Sequence, residues 1–141
     1  MDASTWISVA LALLLCRSPA GALELQPADE TIEKFEMKQI ILRCLFTLSS
    51  DDLNKIDIDW IFLLPGGGEQ SILMFSDDQI YDQQGQWKNR AYFTSKDPKS
   101  GDASMKILKL KPTDTGSYRC IVRAPPSMKS RTTTLNVLSY G

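Results

Sequence analysis

Few residues in this chain have types and spacings that could do chemistry. No histidine occurs among its 141 residues, which removes Ser-His-Asp and Cys-His nucleophilic mechanisms and any zinc site that needs imidazole. Asp51-Asp52 and Asp77-Asp78 are acidic pairs in loop-like sequence. They lack EF-hand spacing, so solvated turns are expected, with calcium ligation as the alternative. Pro65-Gly66-Gly67-Gly68 is not followed by the Lys-Ser/Thr of a phosphate-cradling loop and reads as a hairpin loop. No catalytic residue, cofactor or metal is expected. What remains is three cysteines, an odd number whose resolution decides the rest.

Cys16 closes the apolar run from Trp6 to Leu15, which has the length of a signal-peptide core and is short for a membrane span. Ser18-Pro19-Ala20-Gly21-Ala22 follows, and Ala20-x-Ala22 fits a small-x-small cleavage site. The n-region departs from the usual pattern, carrying Asp2 and no Lys or Arg. Residues 1–22 are therefore expected to be a signal peptide and 23–141 the mature domain. Cleavage removes Cys16 and leaves Cys44 and Cys120 as an even pair in an oxidising compartment. No second long apolar stretch follows. The expectation is a secreted chain, or the ectodomain part of something longer at the extracellular face of the plasma membrane.

Lys and Arg number 16 against 17 Asp and Glu, a formal net charge of −1. A phosphate-backbone or polybasic membrane binder would show a basic excess, so neither nucleic acid nor a membrane surface is an expected partner. The rest of the chain alternates short apolar runs with Gly- and Pro-containing turns. Runs at 40–46, 56–63, 71–75, 79–81, 90–94, 103–107, 116–123 and 131–137 read as strands. With no long amphipathic helix among them, about nine short strands mean an all-β sandwich or barrel.

Trp60 lies between the two surviving cysteines, and Cys120 ends the run Asp114-Thr115-Gly116-Ser117-Tyr118-Arg119-Cys120. A sandwich holds its sheets about 10 Å apart, and a bridge between Cys44 on strand B and Cys120 on strand F would fix that spacing. Such a bridge closes a loop of about 77 residues and is worth roughly 4–5 kcal/mol by chain-entropy arithmetic. Trp60 is expected to pack on it. Tyr118 is placed for a tyrosine corner, Gly116 for the tight turn into the strand, and Asp114 to pair with Arg90.

This pattern resembles an immunoglobulin domain, and the extra material between Leu64 and Asn89 makes it V-type, a Greek-key sandwich. No Gly-x-Gly follows Cys120, unlike the antigen receptors. Leu45-Phe46-Thr47-Leu48-Ser49, Ile56-Asp57-Ile58-Asp59-Trp60, Gln79-Ile80-Tyr81-Asp82, Phe93-Thr94-Ser95 and Lys99-Ser100-Gly101-Asp102-Ala103-Ser104 resemble the membrane-distal domain of the coxsackievirus and adenovirus receptor family. The resemblance implies a cell-junction adhesion protein, with viral attachment a by-product in one member. It also implies a second immunoglobulin domain, a membrane span and a tail, which this sequence does not contain.

Alternation gives the binding face independently. With Trp60 inward, Asp57, Asp59, Ile61 and Leu63 point outward; with Cys120 inward, so do Arg119, Ile121 and Arg123. Met74 on strand C′ is expected to join them by analogy with V domains. One sheet then carries an acidic row, a basic row and apolar residues, a patch complementary to itself under a two-fold axis. The expected partner is a protein, foremost a weak homodimer through the GFCC′ face. The resemblance implies homophilic contact on the same face, with Asp57, Asp59 and Arg123 at the family's charged positions and Ile121 replacing a basic one. The alternatives are a soluble immune-type protein binding a different partner, and a face whose charges are merely solvated or paired within one copy. No Asn-x-Ser/Thr sequon shields the face.

Overall fold

The computed structural model describes residues 23–48, 55–81 and 85–140. The expected signal peptide and the Asp51-Asp52 pair lie outside them. Eleven strands form among the described residues. They are β1 (Glu24–Gln26), β2 (Glu30–Phe35), β3 (Ile40–Leu42), β4 (Leu45–Thr47), β5 (Asp57–Leu63), β6 (Glu69–Ser76), β7 (Gln79–Tyr81), β8 (Ala91–Phe93), β9 (Met105–Ile107), β10 (Gly116–Ala124) and β11 (Ser127–Leu138). One sheet runs β2-β11-β10-β5-β6-β7, or A′GFCC′C″ in sandwich lettering. The other is built from β1-β4 and β3-β9-β8, which together supply strands A, B, E and D.

The excess over nine strands arises because A and B are each broken once. Pro27 follows β1 and cannot donate to a ladder, so the chain leaves β4 and re-forms as β2, parallel to β11. Strand B is interrupted at Cys44, whose N–H turns to Ser104 Oγ at 3.0 Å while Ala103 N donates to the Cys44 carbonyl at 2.8 Å. Neither β1 nor β2 shows in apolar periodicity, since Glu-Thr-Ile-Glu-Lys-Phe has little of it.

Between the sheets lies one core. Leu42, Cys44, Ile58, Trp60, Ala103, Met105, Ile107, Tyr118, Cys120 and Val122 are all buried within it. Cys44 and Cys120 are bridged. Trp60 is the register partner of Cys120 and donates through Nε1 to the Ala103 carbonyl at 2.7 Å, which satisfies the indole inside the core.

The lower end is braced by charge. Arg90 grips Asp114 with both prongs of its guanidinium, Nη2 to Oδ1 at 2.8 Å and Nη1 to Oδ2 at 2.9 Å. Gln86 Nε2 and the Lys111 N–H also donate to the Asp114 carboxylate, at 3.1 and 2.9 Å. The Tyr118 hydroxyl donates to the Asp114 carbonyl, completing the expected corner. Gly116 is required on two counts. Its φ of +152° disfavours a side chain, and a Cβ there would stand 2.5 Å from the Phe62 ring. Phe62 and Tyr118 pack edge to face at 5.0 Å between centroids, with Trp87, absent from the sequence reading, tilted against Phe62 at 5.0 Å.

A second buried cation escaped the sequence reading. Arg131 faces inward beside Cys120 and is 3% exposed. Its guanidinium donates to the carbonyls of Pro27, Ala28 and Arg43, to Thr133 Oγ1 and to Glu30 Oε1. It thus satisfies the backbone released where strand A changes sheets. Burial lowers its pKa, and the nearby Glu30 carboxylate opposes that shift.

Two outcomes follow. Asp114→Ala leaves Arg90 buried without its counter-ion and should cost about 3–5 kcal/mol in urea unfolding; a loss under about 1 kcal/mol would contradict the bracing described. Burial holds the Tyr118 phenol well above its ordinary pKa of 10.0, partly offset by the hydrogen bond from Trp87. The folded state keeps this proton where the unfolded chain has released it, so its contribution is complete below about pH 10 and is lost as pH rises beyond. In thermal unfolding, Tyr118→Phe should be less stable than wild type at neutral pH but decline less steeply above about pH 10.

Candidate protein-binding face

The outward side of the A′GFCC′C″ sheet is set by the ladder β10 makes with β5. Its register pairs Arg123 with Asp57, Ile121 with Asp59, Arg119 with Ile61 and Ser117 with Leu63. Asp57, Asp59, Leu63, Arg119, Ile121 and Arg123 are half-buried, alternating with buried inward neighbours. Met74 pairs with Asp59 and is half-buried too. All the residues expected on this face therefore share it.

Ile61 needs a correction. It faces outward by register and stands outside the core cluster, yet it is only 6% exposed. The cause is local. Register between β5 and β6 jumps from Trp60–Leu73 to Ile61–Ser71, leaving Ile72 without a pairing partner and buried in the core. Such a bulge sharpens the strand twist and re-aims side chains around it. The exposed apolar cluster expected of Ile61, Leu63 and Ile121 accordingly loses its middle member.

Two residues that the sequence reading did not assign to the face enlarge it on either flank. Tyr81 on β7 pairs with Met74 and is 43% exposed, and Met128 on β11 pairs with Arg123 and is 61% exposed. The central row thus runs Ile121, Asp59, Met74, Tyr81 across four strands. Turn length was the usable signal. Asp77-Asp78 and Pro125-Pro126 are two-residue hairpin connections, and a two-residue connection fixes which residues stand opposite.

The charges are partly settled within the molecule. Arg123 Nη1 donates to Asp59 Oδ2, a diagonal ion pair between β10 and β5. Asp57 instead accepts from Ser76 Oγ at 2.7 Å. Arg119 Nε donates to Thr132 Oγ1 at 3.4 Å. Among the described residues no ion pair reaches Asp57 or Arg119. Above the face, Asp57, Asp77, Asp78, Lys55 and Lys99 line a cleft of about 270 Å³, where Lys99 Nζ meets Asp78 Oδ1 at 2.7 Å. The Asp77-Asp78 pair is therefore a turn with one charge partnered.

Comparison with known proteins bears on the fold that carries this face. Residues 28–138 match the immunoglobulin V-set domain. The chain is 37% identical to the coxsackievirus and adenovirus receptor homolog of Danio rerio, over 98% of this chain and 38% of that protein. It is 34% identical to the CXADR-like membrane protein of Xenopus tropicalis, over 68% of this chain and 28% of that one. Myelin protein zero-like protein 3 of Mus musculus is 29% identical over 84% of the chain and 50% of its own length. The chain thus spans about half or less of these three relatives.

The Arg123–Asp59 pair sits at the surface, with side chains 40% and 19% exposed. A double-mutant cycle with Arg123→Ala and Asp59→Ala should return a coupling of only about 0.2–1 kcal/mol, shrinking in high salt. Several kcal/mol would mean that the face is far drier than its exposure indicates.

Proposed function

The chain belongs to the immunoglobulin V-set family, and on that premise we propose that it is an extracellular adhesion or receptor domain whose A′GFCC′C″ face docks on the same face of a second copy. The observation that carries this reading is the composition of one outward surface. Acidic residues on β5, basic residues on β10 and the apolar row of Ile121, Met74 and Tyr81 share it. A surface bearing both signs is complementary to itself under a two-fold axis.

Affinity comes mainly from the apolar row, at about 25 cal/mol per Å² buried before the costs of association. The charges act chiefly on register and on rejection of other partners. Ile121 occupies the centre, flanked by Asp59 on β5 and Ser130 on β11. A contact of this kind is small and weak, with a micromolar dissociation constant, and gains strength when many copies face one another across two membranes. Two of the relatives are a receptor homolog and a membrane protein by name, which accords with such a role.

Sedimentation equilibrium of the mature chain up to high micromolar concentration tests this. Reversible dimers are expected, and Ile121→Lys should weaken them by at least about tenfold, with circular dichroism confirming that the variant is folded. A wild-type chain that stays monomeric throughout would overturn the homophilic reading in favour of a different protein partner.

A further inference from the structure

We propose that register between the two copies is set by Asp57 of one against Arg119 of the other, and the reverse, and not by Arg123; this rests on the homophilic reading above. Three observations lead there. Arg123, the cation nearest Asp57 by register, is already engaged by Asp59 of its own chain. Among the described residues the side chains of Asp57 and Arg119 bond only to hydroxyls, those of Ser76 and Thr132. They are opposite in sign and half-buried on one face.

Their placement supplies the geometry. The ladder sets Arg123 beside Asp57, Ile121 beside Asp59 and Arg119 beside Ile61. Asp57 and Arg119 therefore occupy diagonal corners of a rectangle whose centre is the Ile121–Asp59 pair. Strand dimensions put the corners about 14 Å apart, beyond the screening length of about 8 Å at physiological salt. The two charges do not neutralise one another within a copy.

A two-fold axis lying in the contact plane, through the Ile121–Asp59 pair and at right angles to the diagonal, exchanges the corners. One operation then forms two identical Asp57–Arg119 pairs. This axis runs roughly across the strands, so Met74 and Tyr81 of one copy fall on the same side as those of the other, and the apolar row is shared. An axis along the strands would instead place Asp57 over Arg123 and Arg119 over Ile61. That arrangement asks Arg123 to leave Asp59 and leaves Arg119 without a carboxylate.

Charge reversal in mixture decides between them. Asp57→Arg alone and Arg119→Asp alone each put like charges together at both corners, and each should weaken self-association by at least about tenfold. Mixed in equal amounts, the two variants present opposite charges at both corners. They should form a heterodimer within about threefold of wild-type affinity. The neutral variants Asp57→Asn and Arg119→Gln keep side-chain shape; each should weaken the dimer modestly and reduce its salt dependence. If the mixture associates no better than either variant alone, or if the four variants match wild type while Ile121→Lys still disrupts the dimer, the Asp57–Arg119 register is wrong and the homophilic reading stands. A monomeric wild type defeats both.

Discussion

The bridge between Cys44 and Cys120 fixes the phase of the strands that matter. A strand's side chains alternate, so one residue held inward decides the direction of every other residue along it. Cys120 faces inward, and Arg119, Ile121 and Arg123 therefore look out. Trp60 is its register partner and faces inward, so Asp57 and Asp59 look out from the neighbouring strand. The same covalent constraint that joins the sheets thereby composes the outer face. A slip of one residue in either strand would bury the charges and expose the core.

Polar groups hold that phase at the lower end and beside the bridge. Below, Arg90, Asp114 and Tyr118 form a closed hydrogen-bonded set, with Gly116 leaving room for the Phe62 ring. Level with Cys120, Arg131 gathers carbonyls from Pro27 and Ala28, where strand A changes sheets, and from Arg43. Both cations are buried with carboxylates and carbonyls around them. Their removal would expose unmet hydrogen-bonding groups more than it would remove net attraction. Stability is thus concentrated away from the outer face, whose own ion pair contributes little.

The sandwich was legible in sequence from its strand spacing, and the Cys44–Cys120 bridge, the inward Trp60 and the Arg90–Asp114 pair from cysteine parity and the Cys…Trp…Asp-x-Gly-x-Tyr-x-Cys pattern. Three features were not. Arg131 reads as one more strand-G cation, and only the crossover at Pro27 gives it a buried role. The shielding of Ile61 comes from a bulge on the neighbouring strand β6, which alternation along β5 does not reveal. The Arg123–Asp59 pair is one of several arrangements the sequence allows, since sequence orders the strands but not the diagonal reach of a side chain. The positions of Tyr81 and Met128 follow from the two-residue turns that set their cross-strand partners.

What results is a panel with Ile121 and the Arg123–Asp59 ion pair near its centre and, at opposite corners, Asp57 and Arg119, which have no ion-pair partner among the described residues. If identical panels meet, the contact must be local to this sheet. Backbone amide shifts followed by NMR as the wild-type chain is concentrated through the micromolar range test that most directly. The account predicts progressive shifts along β5, β6, β7 and β10, centred on Asp59 and Ile121, with β3, β8 and β9 unchanged. Shifts centred on β3, β8 and β9, or none at any concentration, would contradict it.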